Sequence, residues 1–286
     1  MESQTQFTPT FSFELFPPKT EAGMEKLQAN VLKLATVNPL YFSVTYGAGG
    51  STQNRTFETV NWLLSQGIET APHLSCIGGT REEIISILKR YQEQGITRLV
   101  ALRGDLPSGA GMGGLGELNY ANELVELIRS EFDDFFRIEV AAYPEFHPQA
   151  TSAEADVKNF KRKVEAGANA AITQYFYNPD AYFEFVDICE KQGLNIPIVP
   201  GIMPITNYSN LVRFSDACGA EIPRWVRKRL EAMGDDKESI KAFGLDVVTA
   251  MCERLLAEGA PGLHFYTMNQ STTILKLWDN LNLSER

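Results

Sequence analysis

Eight short apolar segments alternate with segments of helical periodicity along this chain of 286 residues. The apolar segments are Phe11–Leu15, Tyr41–Tyr46, Ala71–Ser75, Thr97–Leu102, Arg137–Tyr143, Ala170–Gln174, Ile198–Gly201 and Leu263–Thr267. Strand-sized runs separated by helices and short connections predict parallel strands joined by right-handed crossovers. Eight such units predict an α/β chain folded as a (β/α)8 TIM barrel, with residues 1–286 as a single catalytic domain.

The helical segments carry recognisable start and stop signals. Thr80 precedes a helix and stands three residues before Glu83, which predicts a capping box, and Ser152 predicts another cap. Glycines such as Gly67 and Gly167 follow helical segments, where a left-handed residue ends a helix. The segment Ile222–Lys241 is not needed for the repeating strand–helix unit. We interpret it as an extra helix inserted between units seven and eight.

Charge and composition exclude several classes of function. The net charge of -10 argues against nucleic acid as a partner, because phosphate recognition needs Lys and Arg. The four cysteines show no CxxC spacing, so no metal site is predicted. No run approaches the roughly 18 apolar residues of a membrane span, and the amino-terminal segment lacks a signal-peptide core. We therefore expect a cytoplasmic protein that needs no membrane.

Polar side chains collect where the predicted strands end, which is where the loops of a barrel build its active site. Glu14 lies inside an apolar strand, where ionising a carboxylate is costly, and this suits a general acid. The alternative is a strand-end charge that reaches solvent or pairs with an Arg. His73 and His147 both lie at predicted strand ends, which favours a pocket there, whereas His264, inside the last strand, is interpreted as structural.

Three further patterns each have two interpretations. Arg103-Gly104-Asp105 after a strand suits a phosphate or a heterocycle, or forms an ordinary turn with a salt bridge. Asp156, Asn159, Arg162 and Lys163 share a helical face, which either contacts a nucleotide or is solvated. Gly111–Gly116 matches GxGxxG, but it stands too far from its strand for a dinucleotide fingerprint, and a surface loop is favoured.

Eight blocks in order give the chain a resemblance to methylenetetrahydrofolate reductases, specifically the short bacterial form. The blocks are Phe13–Lys19, Ser43–Ala48, Ala71–Leu74, Ala101–Pro107, Tyr143–Pro148, Lys161–Ala168, Ile172–Phe176 and Pro200–Ile205. The resemblance implies a barrel that binds FAD without a Rossmann fold. It implies ping-pong reduction of 5,10-methylenetetrahydrofolate to 5-methyltetrahydrofolate by NADH or NADPH, within one-carbon metabolism and methionine biosynthesis, by a homo-oligomer.

The resemblance also implies roles for single residues. Glu14 falls on the general acid, Thr45 on a nicotinamide contact, and Gln174 on a side chain shared by nicotinamide and folate. Asp105 falls on a carboxylate near both flavin and folate, and Phe214 on an aromatic contact of the substrate. The positions that fall on FAD contacts are Tyr46, Ala48, His73, Arg103, Gly104, Asp105, Ala121, Tyr143, His147, Ala150, Asp156, Asn159, Arg162 and Lys163.

The chain departs from the family pattern in three places. Asn210 stands where a Gln contacts the folate, Gln270 stands where an Arg is familiar, and the loop Ser108–Gly116 is long and rich in glycine. We keep Asn210 and Gln270 as expected substrate contacts, with consequences for folate affinity. Two alternatives remain open: a flavin-free barrel that transfers a one-carbon group from folate, and a non-catalytic binding subunit.

Overall fold

Parallel strands form a nearly closed barrel in the computed structural model, which describes residues 1–46, 53–104 and 116–285. The strands are β1 (Thr10–Leu15), β2 (Tyr41–Val44), β3 (Thr70–Ser75), β4 (Arg98–Leu102), β5 (Arg137–Ala142), β6 (Ala170–Thr173), β7 (Ile198–Val199), β8 (Gly201–Ile202) and β9 (Gly262–Tyr266). Neighbours follow the order β7-β6-β5-β4-β3-β2-β1-β9-β8, and every pairing is parallel. The predicted TIM barrel is confirmed, with all eight predicted strands at their places.

The seventh barrel strand is interrupted at Pro200, which separates β7 from β8. Proline has no N–H to donate to a ladder, so pairing changes partner there. β7 pairs with β6 and β8 pairs with β9, while the carbonyl of Pro200 accepts from the His264 N–H at 2.9 Å. Together, β7 and β8 thus connect β6 to β9 across the interrupted strand.

Helices follow the strands and cover the outside of the barrel. They are α1 (Glu2–Thr5), α2 (Glu21–Ala35), α3 (Gln53–Ser65), α4 (Arg81–Glu93), α5 (Ala121–Phe132), α6 (Ala153–Glu165), α7 (Pro179–Lys191), α8 (Tyr208–Cys218), α9 (Arg224–Met233), α10 (Lys237–Ala257) and α11 (Thr272–Asn280), followed by the 3-10 turn Leu283–Glu285. The predicted capping box of Thr80 with Glu83 is confirmed, as is the cap at Ser152.

The inserted segment forms α9, as predicted, but it ends earlier than the sequence indicates. Gly234 has a φ of 56°, and Asp236 then caps the next helix by accepting from the Ser239 N–H at 3.1 Å. Residues from Lys237 onward therefore belong to α10. The helices α1 and α11 were not predicted: α1 has only four residues, and the helical spacing of Ile274, Leu277 and Trp278 in α11 was overlooked.

Strand alternation divides the core into an outer layer and a barrel interior. Phe13 faces outward and packs against Phe42, Phe265 and Trp278, with ring centroids 5.4 to 5.8 Å apart. Ser12 and Glu14, its neighbours in sequence, share the opposite face of β1, since successive strand residues alternate. Inside the barrel a smaller cluster of buried residues comprises Tyr41, Ala71, Val100 and Ile172.

None of the helices in the described ranges is long and apolar enough to cross a membrane.

Candidate functional site

The carboxyl ends of the strands meet at one rim of the barrel, here called the mouth. The predicted site residues on or just after those ends are Glu14, Thr45, Tyr46, His73, Arg103, Gly104, Tyr143 and Gln174. Register places Glu14 beside Ser43 on β2 and beside Tyr266 on β9. Two predicted site residues, Ala48 and Asp105, lie outside the described residues, as does most of the loop Ser108–Gly116.

Glu14 stands at the centre of a cluster with two histidines. Its Oε2 lies 3.4 Å from the Nε2 of His73 and 3.7 Å from the Nε2 of His264. The Glu14 side chain keeps 20% of its surface exposed, whereas His264 is fully buried. Neither Nε2 atom has a hydrogen-bond partner among the described residues. Glu14 is thus a polar group with one open side, facing two buried imidazoles.

Burial decides the charge of His73. Desolvation lowers its pKa below the ordinary 6.5, and nearby His264 lowers it further, against the opposing effects of Glu14 and Glu139. The imidazole is therefore neutral at neutral pH. A neutral His73 can donate or accept one hydrogen bond at Nε2 but supplies no fixed positive charge to the mouth.

At the end of β4 the backbone lies very close to Ser75 of the neighbouring strand β3. Gly104 has a φ of 88°, and a Cβ there would lie 1.9 Å from the hydroxyl oxygen of Ser75. The carbonyl of Arg103 accepts from that Ser75 hydroxyl at 2.8 Å and from the Ile77 N–H at 3.1 Å. The guanidinium of Arg103 donates to the side chain of Gln149. Glycine at 104 therefore lets β4 end tightly against β3, with the Arg103 cation beside the next loop.

The loop after β5 is held to the start of α6. The backbone N–H of His147 donates to Asp156 Oδ2 at 2.9 Å, and the Ala150 N–H donates to the carbonyl of His147 at 2.8 Å. The rings of Tyr143 and His147 meet edge to face, with centroids 4.6 Å apart. These predicted cofactor positions therefore do meet in space, around one ordered turn.

The polar residues predicted to share one face of α6 separate into two environments. Asn159 and Arg162 are exposed and joined to each other at 3.0 Å. Lys163 instead turns inward and donates to the carbonyl of Ala141 at 2.5 Å. Burial lowers the pKa of Lys163 to about 8, although Asp156 opposes the shift. Lys163 is consequently a partly titrating cation at the end of β5.

The residues expected to contact the substrate differ in their burial and in their contacts. The side-chain oxygen of Gln174 accepts from the Tyr175 N–H at 3.0 Å, so its amide is anchored at the end of β6. Phe214 is half-buried on α8 with the Arg213 guanidinium 4.9 Å above its ring. Asn210 and Gln270 are exposed. Ala121 is the first residue of α5.

Two aromatic or imidazole side chains at the mouth were not predicted as site residues. His264 and Tyr266 alternate on the inner face of β9, with ring centroids 5.5 Å apart. The hydroxyl of Tyr266 donates to the Thr173 carbonyl at 2.7 Å, across the strand occupied by Gly201. A Cβ at Gly201 would come within 2.7 Å of the Tyr266 ring, so glycine makes room for it. The period-two pattern of β9 was the signal that could have found both.

In the described parts of the chain, titratable side chains do not assemble a metal centre. Among residues 1–46, 53–104 and 116–285, no group of three or more His, Cys, Asp and Glu side chains could hold a metal ion. A cavity of about 160 Å³, lined by Tyr41, Arg98 and Glu139 among others, lies at the amino-terminal end of the barrel. That end is opposite the mouth, where loops of barrel enzymes carry their chemistry.

Comparison with known proteins finds one family model and several relatives that match most of the chain. The family model described as methylenetetrahydrofolate reductase matches residues 1–282. The chain is 41% identical over 261 residues to the 5,10-methylenetetrahydrofolate reductase of Escherichia coli K12, covering 91% of this chain and 86% of that one. It is 39% identical to methylenetetrahydrofolate reductase (NADH) 1 of Arabidopsis thaliana, covering 96% of this chain and 48% of that protein.

Solved structures show the same fold at low identity. An uncharacterized Clostridium thermocellum protein that binds two copies of 5-methyl-5,6,7,8-tetrahydrofolic acid superposes with a TM-score of 0.70 at 16% identity, covering 99% of this chain and 98% of that one. A dihydropteroate synthase from Coxiella burnetii superposes with a TM-score of 0.51 at 10% identity, covering 97% of this chain and 92% of that one. With the family match over nearly the whole chain and the identity to bacterial relatives, this chain belongs to the methylenetetrahydrofolate reductase family.

Proposed function

We propose that this protein reduces 5,10-methylenetetrahydrofolate to 5-methyltetrahydrofolate at the barrel mouth, with FAD as its cofactor and NADH or NADPH as the hydride donor. Family membership supports the reaction, and the NADH in the name of the Arabidopsis relative supports a nicotinamide donor. The folate derivative bound by the Clostridium protein is a further support for a folate site in this fold. Bound FAD would supply the ping-pong transfer of hydride from nicotinamide to folate.

The described residues of the mouth suit a flavin dinucleotide. Arg103 donates to Gln149 in the loop after β5 and Lys163 donates to the carbonyl of Ala141 near the end of β5, which gives this loop two cationic neighbours in a protein of net negative charge. Gly104 lets the end of β4 lie close against Ser75 of β3, next to Arg103. The Nε2 of His73 is buried without a partner among the described residues, as expected of an atom that completes its hydrogen bonding with a ligand. We propose that these residues hold and orient the cofactor.

The observation that carries the proposal is the environment of Glu14. Folate reduction requires a proton at the ring nitrogen that leaves when the five-membered ring opens, and a carboxyl group can supply it. Glu14 is partly exposed at the mouth and contacts no Arg or Lys in the described chain, unlike Glu139, which pairs with Arg98. We therefore assign Glu14 as the general acid.

An anaerobic absorbance experiment tests the proposed function. The purified protein, reconstituted with FAD if necessary, should show a flavin band at about 450 nm that NADH or NADPH bleaches. Adding 5,10-methylenetetrahydrofolate should restore the band and yield 5-methyltetrahydrofolate. Protein that cannot be loaded with FAD, yet binds folate, would favour the flavin-free transferase instead. Protein that loads FAD but passes no hydride in either step would favour the non-catalytic alternative.

A further inference from the structure

Helix α8 packs against the rim of the barrel mouth. The hydroxyl of Tyr175, the residue after Gln174, lies 3.1 Å from the Ser215 hydroxyl on α8. The Tyr175 ring also meets the ring of Tyr266 edge to face, with centroids 6.5 Å apart. Tyr266 pairs with Glu14 in the register of β9 and β1. Helix α8 therefore lies beside the strand ends that surround the proposed proton donor.

This packing leaves one row of α8 side chains uncovered. Leu211 and Ser215 are buried, whereas Asn210 and Arg213 are exposed. Phe214 lies between the buried and the exposed row and is half-buried. Side chains three and four positions apart on a helix are neighbours, so Asn210, Arg213 and Phe214 form one continuous patch. The patch presents an amide, a cation and an aromatic ring at the rim.

The guanidinium of Arg213 is held in place but has no charge partner. It lies 4.9 Å from the centroid of the Phe214 ring, a cation–π contact that orients the side chain. No carboxylate of the described residues pairs with it, and this includes Asp216, one turn later on α8. By contrast, Arg103 and Lys163 both donate hydrogen bonds to groups of the protein. Arg213 therefore offers N–H donors that the described chain does not use.

The two ends of a folate molecule differ in chemistry. One end is the heterocycle that is reduced, and the other is a glutamate whose two carboxylates are ionised at neutral pH. A planar guanidinium binds a carboxylate through two parallel hydrogen bonds. Gln270, in the loop after β9, is exposed and uncharged, so it can add hydrogen bonds but no charge. An exposed cation on the rim beside Glu14 thus suits the acidic end of this substrate.

We propose that Arg213 binds the glutamate carboxylates of the folate, so that the enzyme discriminates folates from pteroates, which lack the glutamate. Phe214 positions the guanidinium for this contact. The inference rests on the proposed reduction of a folate at the mouth. The diphosphate of FAD or NADH is the alternative anion for Arg213, and the experiment separates the two.

Equilibrium binding to the FAD-loaded protein tests the discrimination without turnover. By calorimetry, the wild type should bind 5-methyltetrahydrofolate about five- to tenfold more tightly than 5-methyltetrahydropteroate. Arg213→Gln should bind both at the wild-type affinity for the pteroate, and Arg213→Lys should keep part of the preference, since it keeps the charge but not the fork. The matched control is Arg229→Gln, exposed on α9, which should keep the full preference. Added salt should reduce the wild-type preference by screening.

The failures of this inference differ from those of the proposed function. A wild type without preference, or a preference that survives Arg213→Gln, would overturn the role of Arg213. Equal weakening of both ligands would also overturn it, because that is the effect of a merely structural residue. Weaker binding of FAD or NADH to Arg213→Gln, with the folate preference intact, would assign Arg213 to a diphosphate instead. Wild-type protein that binds neither pterin ligand would refute the proposed function itself.

Discussion

At the scale of single residues, the proposed chemistry of the mouth depends on one carboxyl group that stands beside a buried imidazole. Glu14 is 3.4 Å from a neutral imidazole and has no cationic partner among the described residues. Its backbone carbonyl accepts from the Thr267 hydroxyl at 2.6 Å, which ties the end of β1 to the end of β9. The side chain is therefore placed by the barrel frame rather than by a salt bridge.

Removing the proton of Glu14 should separate the two half-reactions. Glu14→Gln keeps the shape of the side chain but cannot supply a proton, so folate reduction should fall by about 10²-fold or more. Flavin reduction by NADH needs no acid and should stay within a few-fold of wild type. Anaerobic stopped-flow absorbance measures both rates, with Glu253→Gln, exposed on α10, as the control. If Glu14→Gln reduces folate at the wild-type rate, the assignment of the acid is wrong.

Glycine at 104 should be required for packing as well as for backbone conformation. Gly104→Ala puts a Cβ 1.9 Å from the Ser75 oxygen at a positive φ, which should destabilise the fold by about 2–4 kcal/mol and weaken FAD binding. Gly67→Ala is the matched control, because its φ is 71° with nothing within 4 Å, so only about 1 kcal/mol is expected. Urea unfolding and flavin titration measure the two effects. Equal losses in both variants would contradict the packing argument.

At the scale of elements, a carboxyl group connects the loop after β5 with the segment between α8 and α9. Glu145 Oε2 accepts from the Glu221 N–H at 2.8 Å, while its buried Oε1 has no hydrogen-bond partner in the described parts of the chain. Burial raises the pKa of Glu145 to about 7, with the Glu221 hydrogen bond acting in the opposite direction. Protonation of Glu145 should therefore stabilise this junction.

The pH dependence of stability should report that junction. Because the folded state binds the Glu145 proton more tightly than the unfolded chain, its contribution is complete below pH 4.5 and is lost as pH rises through about 7. Allowing for partial solvent screening, we expect about 1–2 kcal/mol. Urea midpoints of the wild type, compared with those of Glu145→Gln, should converge at low pH and separate above pH 7, with the variant more stable there. A difference independent of pH would contradict the assignment.

Closure between the first and last strands depends on aromatic packing outside the barrel. Phe13 on β1 contacts Phe265 on β9 and Trp278 on α11, and it is fully buried. Phe13→Ala should cost about 3–5 kcal/mol of unfolding free energy, since it leaves a cavity at this junction. Phe16→Ala, at a ring that is 41% exposed, should cost less than about 1 kcal/mol. Chemical denaturation of both variants decides the point, and similar losses would contradict it.

At the scale of the whole molecule, two tryptophans differ sharply in their exposure to solvent. Trp278 is 3% exposed and belongs to the core, whereas Trp225 on α9 is 60% exposed beside Phe243. An exposed Trp is the kind of side chain that interfaces bury at their centre. We expect a homo-oligomer whose mass, by light scattering, falls toward 31.9 kDa in Trp225→Ser. Trp62→Ser is the control, and an unchanged mass in Trp225→Ser would remove α9 from the interface.

The strands and the general location of the site could be predicted because both follow from local pattern. Strand-sized apolar runs with polar ends specify a parallel barrel and the rim where Glu14, His73 and Arg103 gather. The positions of Ala48 and Asp105 stay predictions, since both lie outside the described residues. The end of α9 at Met233 was misjudged, because the cap at Asp236 outweighs the continuing helical pattern.

The amino-acid order alone determined the period of each segment, and through it the barrel, while the ordered motifs carried the resemblance to the family. Only the tertiary structure decided which groups meet inside. His264 stands 252 positions from Ser12 in the chain, yet the two side chains are 2.7 Å apart. Lys163 and Arg162 are neighbours in sequence, but Lys163 is half-buried and bonded at the end of β5, whereas Arg162 is exposed. Closing the sheet brings distant strands together and removes water, and no pattern within one segment encodes either event.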